Sequence, residues 1–219
     1  MTTTTATTKG AAGSAAATFD EQSGKEARPY RMMLIMGAPG AGKTSLVEET
    51  IARYQQLHRG NPVVVLDPNA QFAPPLGVWP PDGDAAGWLQ RFKEERAKRG
   101  NPPGLLVLDD ADKYLTGAPP RGVFRDLFTS FRHWRLDVVL NSRRSQDIPK
   151  VAIASSQTLA LFIHRELYGR QYLAANLGPE LVKDLPKERF KYLRVDVDAG
   201  TSTLCTTKQR AVVVAADRR

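Results

Sequence analysis

Residues Gly37-Ala38-Pro39-Gly40-Ala41-Gly42-Lys43-Thr44 follow directly on the apolar run Met32-Met33-Leu34-Ile35-Met36, and a helical pattern begins at Lys43. Glycines at such a strand-to-helix junction let the backbone turn its N–H groups inward, which makes a concave cradle for an anion. The helix start behind the cradle adds the positive end of its dipole. The spacing G-x-x-x-x-G-K-[ST] then defines the ligand: Lys43 brings charge to the terminal phosphates of a nucleotide, and the Thr44 hydroxyl is placed to ligate Mg²⁺. Gly37 to Thr44, with Ser45 beside them, are the expected nucleotide-binding residues, and ATP and Mg²⁺ the expected ligands. The competing reading is a glycine-rich turn with no ligand. At ordinary residue frequencies the four fixed positions match by chance in on the order of 1% of chains this long.

The chain has 219 residues, enough for one good core rather than two full domains. The expected organisation is a flexible low-complexity tail over 1–27, rich in Thr and Ala and nearly free of large apolar groups, followed by a single domain over 28–219. The single cysteine, Cys205, has no partner for a disulfide and no metal-site spacing, which fits a reducing compartment. With no apolar run of about 18 residues and no secretory leader pattern, a cytoplasmic protein is expected. The formal charge of +8 favours an anionic partner beyond the nucleotide. Part of that excess is an ordinary solvated helix face, as in Arg91 to Arg99, where acids are interleaved.

Apolar runs alternate with helical patterns. Strands are predicted at 31–36, 63–66, 105–108, 137–140 and 158–163, and helices at about 43–58, 84–99, 120–133, 166–176 and 179–184. Pro68 to Gly83 is Pro/Gly-rich and too long for a simple connector. Beyond Tyr192, alternation through Leu193, Val195 and Val197 to Cys205 suggests a β-hairpin or added edge strands. Together these predict a mainly parallel α/β sheet with helices on both faces, whose ligands bind beyond the carboxyl ends of the strands. The loop at Gly37, the pair Asp109-Asp110 and the polar Asn141 all fall at such ends.

Leu105-Leu106-Val107-Leu108-Asp109-Asp110 is an apolar strand ending in two acids. One carboxylate in that position holds Mg²⁺ and its neighbour orients or deprotonates the attacking water, which assigns Asp109 to the metal and Asp110 to the water. Asp112 reads instead as a cap of the next element. A whole strand, Val63 to Leu66, lies between the loop and the acids in sequence, so the two motif strands are expected to be separated by another strand in the sheet.

Within that pattern the chain resembles the FtsK/HerA family of DNA-translocating ATPases. The resemblance rests on Val63 to Asn69, with its Asp-Pro-polar ending; on Asp109-Asp110, where the family usually has Asp-Glu; on Asn141-Ser142-Arg143-Arg144-Ser145-Gln146-Asp147-Ile148-Pro149; and on Ser155 to Phe162 with the helix after it. It spans about residues 31–196. It implies a RecA-like P-loop NTPase fold of the ASCE division, with Asn141 sensing the γ-phosphate and a neighbour's arginine completing each site in a homo-oligomeric ring, a hexamer. Arg143 and Arg144 are the first candidates for that arginine, Arg121 and Arg125 the second. The compact size is similar to genome-packaging ATPases of tailless, membrane-containing viruses. That implies double-stranded DNA bound through its phosphates, capsid or internal membrane proteins as further partners, and a host-cytoplasmic, virion-associated location. The sequence departs from the family in having Asp110 one methylene shorter than Glu, and Asn141 or Ser142 where Gln is frequent.

Two other readings start from the same loop. A replication-initiator or helicase-loader ATPase of the AAA+ type would need a C-terminal helical lid, against which the alternation beyond Tyr192 argues. A small-molecule kinase would place the two motif strands side by side. The three Trp residues, Trp79, Trp88 and Trp134, and the histidines His133 and His164 read as packing or surface residues.

Overall fold

The computed structural model describes residues 30–115 and 120–208, so the tail expected over 1–27 lies outside the described residues. The elements in chain order are β1 (Met32–Met36), α1 (Lys43–Leu57), β2 (Val63–Leu66), β3 (Gly77–Val78), α2 (Ala85–Lys98), β4 (Gly104–Leu108), α3 (Gly122–Ser130), β5 (Leu136–Ser142), α4 (Lys150–Ser155), β6 (Thr158–Leu161), α5 (Leu167–Leu177), α6 (Pro179–Lys183), β7 (Lys191–Asp196) and β8 (Thr201–Thr206). The strands form one sheet in the order β3-β2-β4-β5-β1-β6-β7-β8. The first six are parallel, and β7 and β8 extend the sheet antiparallel. No helix among the described residues is long and apolar enough to cross a membrane.

The parallel strands are apolar on both faces because both faces are covered. Met32, Leu34 and Met36 of β1 join a core with α2 to α6, whereas Met33 and Ile35 join Leu46, Val47, Ile51 and Tyr54 of α1. Trp134 is buried, and Trp79 and Trp88 pack against the larger core. The mainly parallel sheet with antiparallel C-terminal strands is the architecture expected from the alternation of runs.

Two local expectations change, and a third gains detail. The strand that separates β1 from β4 is β5, while β2 lies on the far side of β4. β5 also runs on through the polar Asn141 and Ser142, because their backbone pairs with Ile35 and Met36 of β1. The Pro/Gly-rich loop, expected to be more than a connector, carries a strand: Val65 and Asp67 donate their N–H groups to the carbonyls of Leu76 and Val78, which makes β3 a short edge strand.

The phosphate-type loop is fixed from both neighbouring elements. Ala38 N–H donates to Ile163 O beyond β6 at 2.8 Å, and Phe190 N–H, just before β7, donates to Ala41 O at 2.7 Å. Gly37 has φ +152, and a Cβ there would lie 2.5 Å from Phe162 Cβ. Gly37→Ala is therefore expected to destabilise the protein by about 1–3 kcal/mol, the usual cost of overpacking a close contact. Urea denaturation of the variant beside wild type measures it.

Candidate functional site

At the carboxyl edge of the sheet the loop from β1 meets the ends of β2, β4, β5 and β6. Lys43, the first residue of α1, is buried, and its Nζ donates back across the loop to Ala38 O at 3.1 Å. Thr44 is half-buried, Ser45 is buried, and the loop tip, Pro39-Gly40, is exposed. Burial pulls the Lys43 ammonium down to about 8; Asp110 and Asp112 oppose that, Arg143 adds to it, and Asp109 opposes it. Loop lysine, acids and Arg143 thus share one electrostatic environment.

Asp109 follows β4 directly and is fully buried. Asn141 Nδ2 donates to its Oδ1 at 2.6 Å, Gln71 Nε2 reaches Oδ2 at 3.5 Å, and Tyr114 Oη donates to its carbonyl at 3.2 Å. Burial pushes the Asp109 carboxyl up to about 6 against the pull of the Asn141 hydrogen bond, with Asp110 and Asp67 adding to the rise. Asn141 spends one of its two amide N–H groups on Asp109, and its Oδ1 is buried without a hydrogen-bond partner among the described residues. The orphaned acceptor suits a donor such as water, and the second N–H can still donate to a phosphate oxygen.

Asp110 sits in the left-handed region at φ 42, ψ 47, which Asp tolerates better than most residues, and a 3-10 turn, Ala111–Lys113, follows it. Its carboxylate is engaged on both oxygens. Asn69 Nδ2 donates to Oδ2, and Arg143 Nε stands 3.5 Å from Oδ1. Lys113 Nζ in turn donates to Asn69 Oδ1. The Asp67 carboxylate accepts from the N–H groups of Asn69 at 3.0 Å and Phe72 at 2.7 Å, so the buried end of β2 sets the turn that delivers Asn69.

Asp112 is not the cap that its position suggests. It accepts from Arg143 N–H at 3.0 Å and Arg143 Nη2 at 3.3 Å, and Ser142 Oγ lies 3.3 Å away. It ties the acidic turn to the end of β5. Arg143 is thereby held at the acids of its own chain, while Arg144 points away, its side chain 61% exposed and 4.0 Å from Asp147. Arg121 and Arg125 are exposed at and on α3. The structure brings together Lys43, Asp109, Asp110, Asn141 and Arg143 and leaves Arg144 outside. Asn69, Gln71 and Asp112 complete the site although no motif spacing marked them; the polar ending of Asp67-Pro68-Asn69 was the one trace. His164, half-buried, donates from Nδ1 to Phe162 O at 2.7 Å and accepts at Nε2 from Ser145 Oγ at 2.6 Å, which joins the ends of β5 and β6.

The donors present fit Mg²⁺ held with a nucleotide. Among the described residues no group of three or more His, Cys, Asp or Glu forms a cage of its own. Mg²⁺ bound with a nucleotide does not need one, since one or two protein oxygens, substrate phosphates and water complete its shell. Asp109 would supply a carboxylate and Thr44 a hydroxyl, and the orphaned Asn141 Oδ1 suits a water beside them.

Because the Asp109 carboxyl is raised from 3.8 to about 6, its charge burdens the fold at every pH above about 6, and the burden fades as pH falls toward 3.8. Asp109→Asn keeps an oxygen for the Asn141 amide and removes the charge. The variant is expected to be more stable than wild type by up to about 3 kcal/mol at pH 8, with the gap closing toward pH 4. Denaturant melts across that range in the absence of nucleotide and metal read it.

No protein-family model matches the chain, and no curated protein matches it in sequence. Solved structures do. The genome-packaging NTPase B204 of Sulfolobus turreted icosahedral virus 2, in complex with ATP-gammaS, has a TM-score of 0.68 at 16% identity, over 82% of this chain and 98% of that one. The DNA-packaging ATPase B204 of Sulfolobus turreted icosahedral virus has a TM-score of 0.69 at 13% identity, over 83% and 99%. The pCW3 conjugation coupling protein TcpA, with ATPgS, has a TM-score of 0.59 at 14% identity, over 82% of this chain and 60% of its own. With its strand-loop-helix start and β5 inserted between β1 and β4, the chain has the P-loop NTPase fold.

Proposed function

We propose that this protein is a Mg²⁺-dependent ATPase that works as a homo-oligomeric ring, a hexamer, to drive double-stranded DNA, and that it packages a viral genome into a capsid from the cytoplasm of the host cell. The observation that carries this reading is the convergence of a buried lysine, a paired acid turn and a polar strand end on one edge of the sheet. The near full-length likeness to two DNA-packaging proteins supports it further.

In this reading Gly37 to Ser45 cradle the phosphates, and Lys43, charged below about pH 8, neutralises them. Thr44 and Asp109 hold the metal, which when bound offsets charge on the transferring phosphoryl group. Asp110 is the base or orienting group for the attacking water, which would share its oxygens with Asn69 and Arg143. Asn141 senses the γ-phosphate, through its second amide N–H or through a water held by its Oδ1. Arg143, tied to Asp110 and Asp112 of its own chain, serves the site in cis. Arg144, held at 4.0 Å by one partly exposed acid, serves a neighbour.

The test is ATP hydrolysis with and without long duplex DNA. Wild type is expected to be stimulated by DNA, and Asp110→Asn to lose about 10²- to 10⁴-fold in turnover while still binding nucleotide. An assembled protein indifferent to DNA would sink the motor, and full activity in Asp110→Asn would remove that residue from its role. Mixing separates the two arginines. Arg144→Ala and Lys43→Ala, each inactive alone, are expected to regain activity when co-assembled, since roughly a quarter of randomly formed interfaces then carry one intact loop and one intact arginine. Arg143→Ala mixed with Lys43→Ala is expected to stay inactive, because both defects belong to the same chain's site.

A further inference from the structure

The tetrapeptide Arg-Gly-Asn-Pro occurs twice, as Arg59 to Pro62 and Arg99 to Pro102, each time between the end of a helix and the start of a strand. The two strands, β2 and β4, are neighbours, and Leu105 N–H donates to Pro62 O at 3.0 Å, so the two turns lie side by side. The turn before β5 continues the row, with Gly104 N–H donating to Arg135 O at 3.2 Å. Arg31, before β1, closes it: Val138 N–H donates to Arg31 O at 2.9 Å, and Arg135 Nε donates to Tyr30 Oη at 3.1 Å. The turns before β2, β4, β5 and β1 therefore stand in sheet order along the amino edge, opposite the nucleotide edge, and span about 14 Å.

Residues 30–31, 58–62, 99–103 and 131–135 contain five arginines, Arg31, Arg59, Arg99, Arg132 and Arg135, and no Asp or Glu. All but Arg31 are exposed. Two carboxylates stand beside the row. Glu95, bonded to Lys98 at 2.7 Å, also attracts Arg99, and the buried Asp137 accepts from Arg31 N–H at 2.9 Å. Helix dipoles do not account for five charges, since α1, α2 and α3 each end here with about half a negative charge. Five arginines and Lys98 still outweigh Glu95, Asp137 and the three helix ends, so the edge is net positive. Rigid turns hold the arginines: Gly60, Gly100, Asn101 and Arg135 all adopt positive φ.

We propose that this amino-edge arginine row is the surface that grips the phosphodiester backbone of double-stranded nucleic acid, without regard to sequence. The inference rests on the DNA-driving reading above and names where the DNA lies on each subunit. Guanidinium groups pair with phosphate oxygens two at a time, and a fixed row of them matches a fixed row of phosphates. No Phe, Tyr or Trp side chain is exposed in these turns, where His133 is the one exposed aromatic ring, so backbone contact is the main readout the row supports.

Full-length wild type is compared with Arg59→Gln/Arg99→Gln/Arg132→Gln, which alters exposed side chains, and with Arg165→Gln/Arg170→Gln on the opposite edge. Fluorescence anisotropy of a labelled 30-base-pair duplex is read from 50 to 200 mM salt, with thermal midpoints and nucleotide affinity measured alongside. The triple variant is expected to keep both of those values, to bind the duplex at least 10-fold more weakly, and to show a salt slope reduced by about 2–3, near 0.9 for each phosphate that an arginine no longer neutralises. The opposite-edge variant is expected to bind as wild type does. Unchanged binding and slope in the triple variant, or weakened binding in the opposite-edge variant, overturns the row while leaving the motor standing. A wild type that binds nucleotide but no duplex, or binds only anionic phosphatidylglycerol vesicles, overturns both.

Discussion

The insertion of β5 between β1 and β4 governs the site. A strand there carries its polar end, Asn141-Ser142-Arg143, into the space between the phosphate-type loop and the acidic turn, so that loop and acids do not face each other across one strand gap. Asn141 then buries its amide against Asp109, and the backbone and guanidinium of Arg143 meet Asp112 and Asp110. Without that insertion the desolvated Asp109 carboxylate would have only the Gln71 amide, at 3.5 Å, beside it, a costly state in a closed core. The strand both creates the gap and fills it with the groups that make the acids tolerable.

Much of this was legible along the chain because it depends on local spacing. A loop whose glycines, lysine and threonine lie within eight residues, and acids directly behind an apolar run, are set by one strand and one turn each. The parts that escaped depend on which strands are neighbours. Counting strands in sequence points to Val63–Leu66 as the separator, yet β2 pairs with the outer side of β4, so the separation was foreseeable and its agent was not. Asn69 reaches Asp110 only because Asp67 bends the chain after β2, and Asp112 binds Arg143 only because the 3-10 turn lies beside β5. These are tertiary contacts between residues dozens of positions apart. The alternation beyond Tyr192 announced a hairpin, but nothing in it announced that Phe190 would donate to the loop carbonyl of Ala41.

The antiparallel end of the sheet has a mechanical role that follows from that contact. A phosphate-binding loop must hold its N–H groups in place before the anion arrives, otherwise binding would carry the entropy of ordering them. Here the loop is tied on one side to Ile163 and on the other to Phe190, while Thr207 Oγ1 and Lys208 N–H fasten the far end of β8 to Glu49 of α1 at 2.6 Å each. Helix, loop and hairpin form a closed circuit of hydrogen bonds. The same circuit explains why Gly42, under the rings and methyls of Phe190, Thr207 and Phe162, has no room for a side chain.

Strands β1, β4 and β5 each carry an arginine turn before their first residue and a nucleotide-site group at or after their carboxyl end, with Arg31 and Gly37, Arg99 and Asp109, Arg135 and Asn141 or Arg143 at opposite ends. Five to seven residues separate the ends of each strand, about 20 Å of close-packed sheet buried on both faces. Such a body does not bend cheaply, so a change at the nucleotide edge reaches the arginine edge only by moving the whole subunit. In the proposed ring, where Arg144 of one chain would serve the loop of the next, that movement would be a rotation of one rigid subunit against its neighbour. The arginine row would then sweep with the subunit, over a distance set by the rotation and by the width of the sheet.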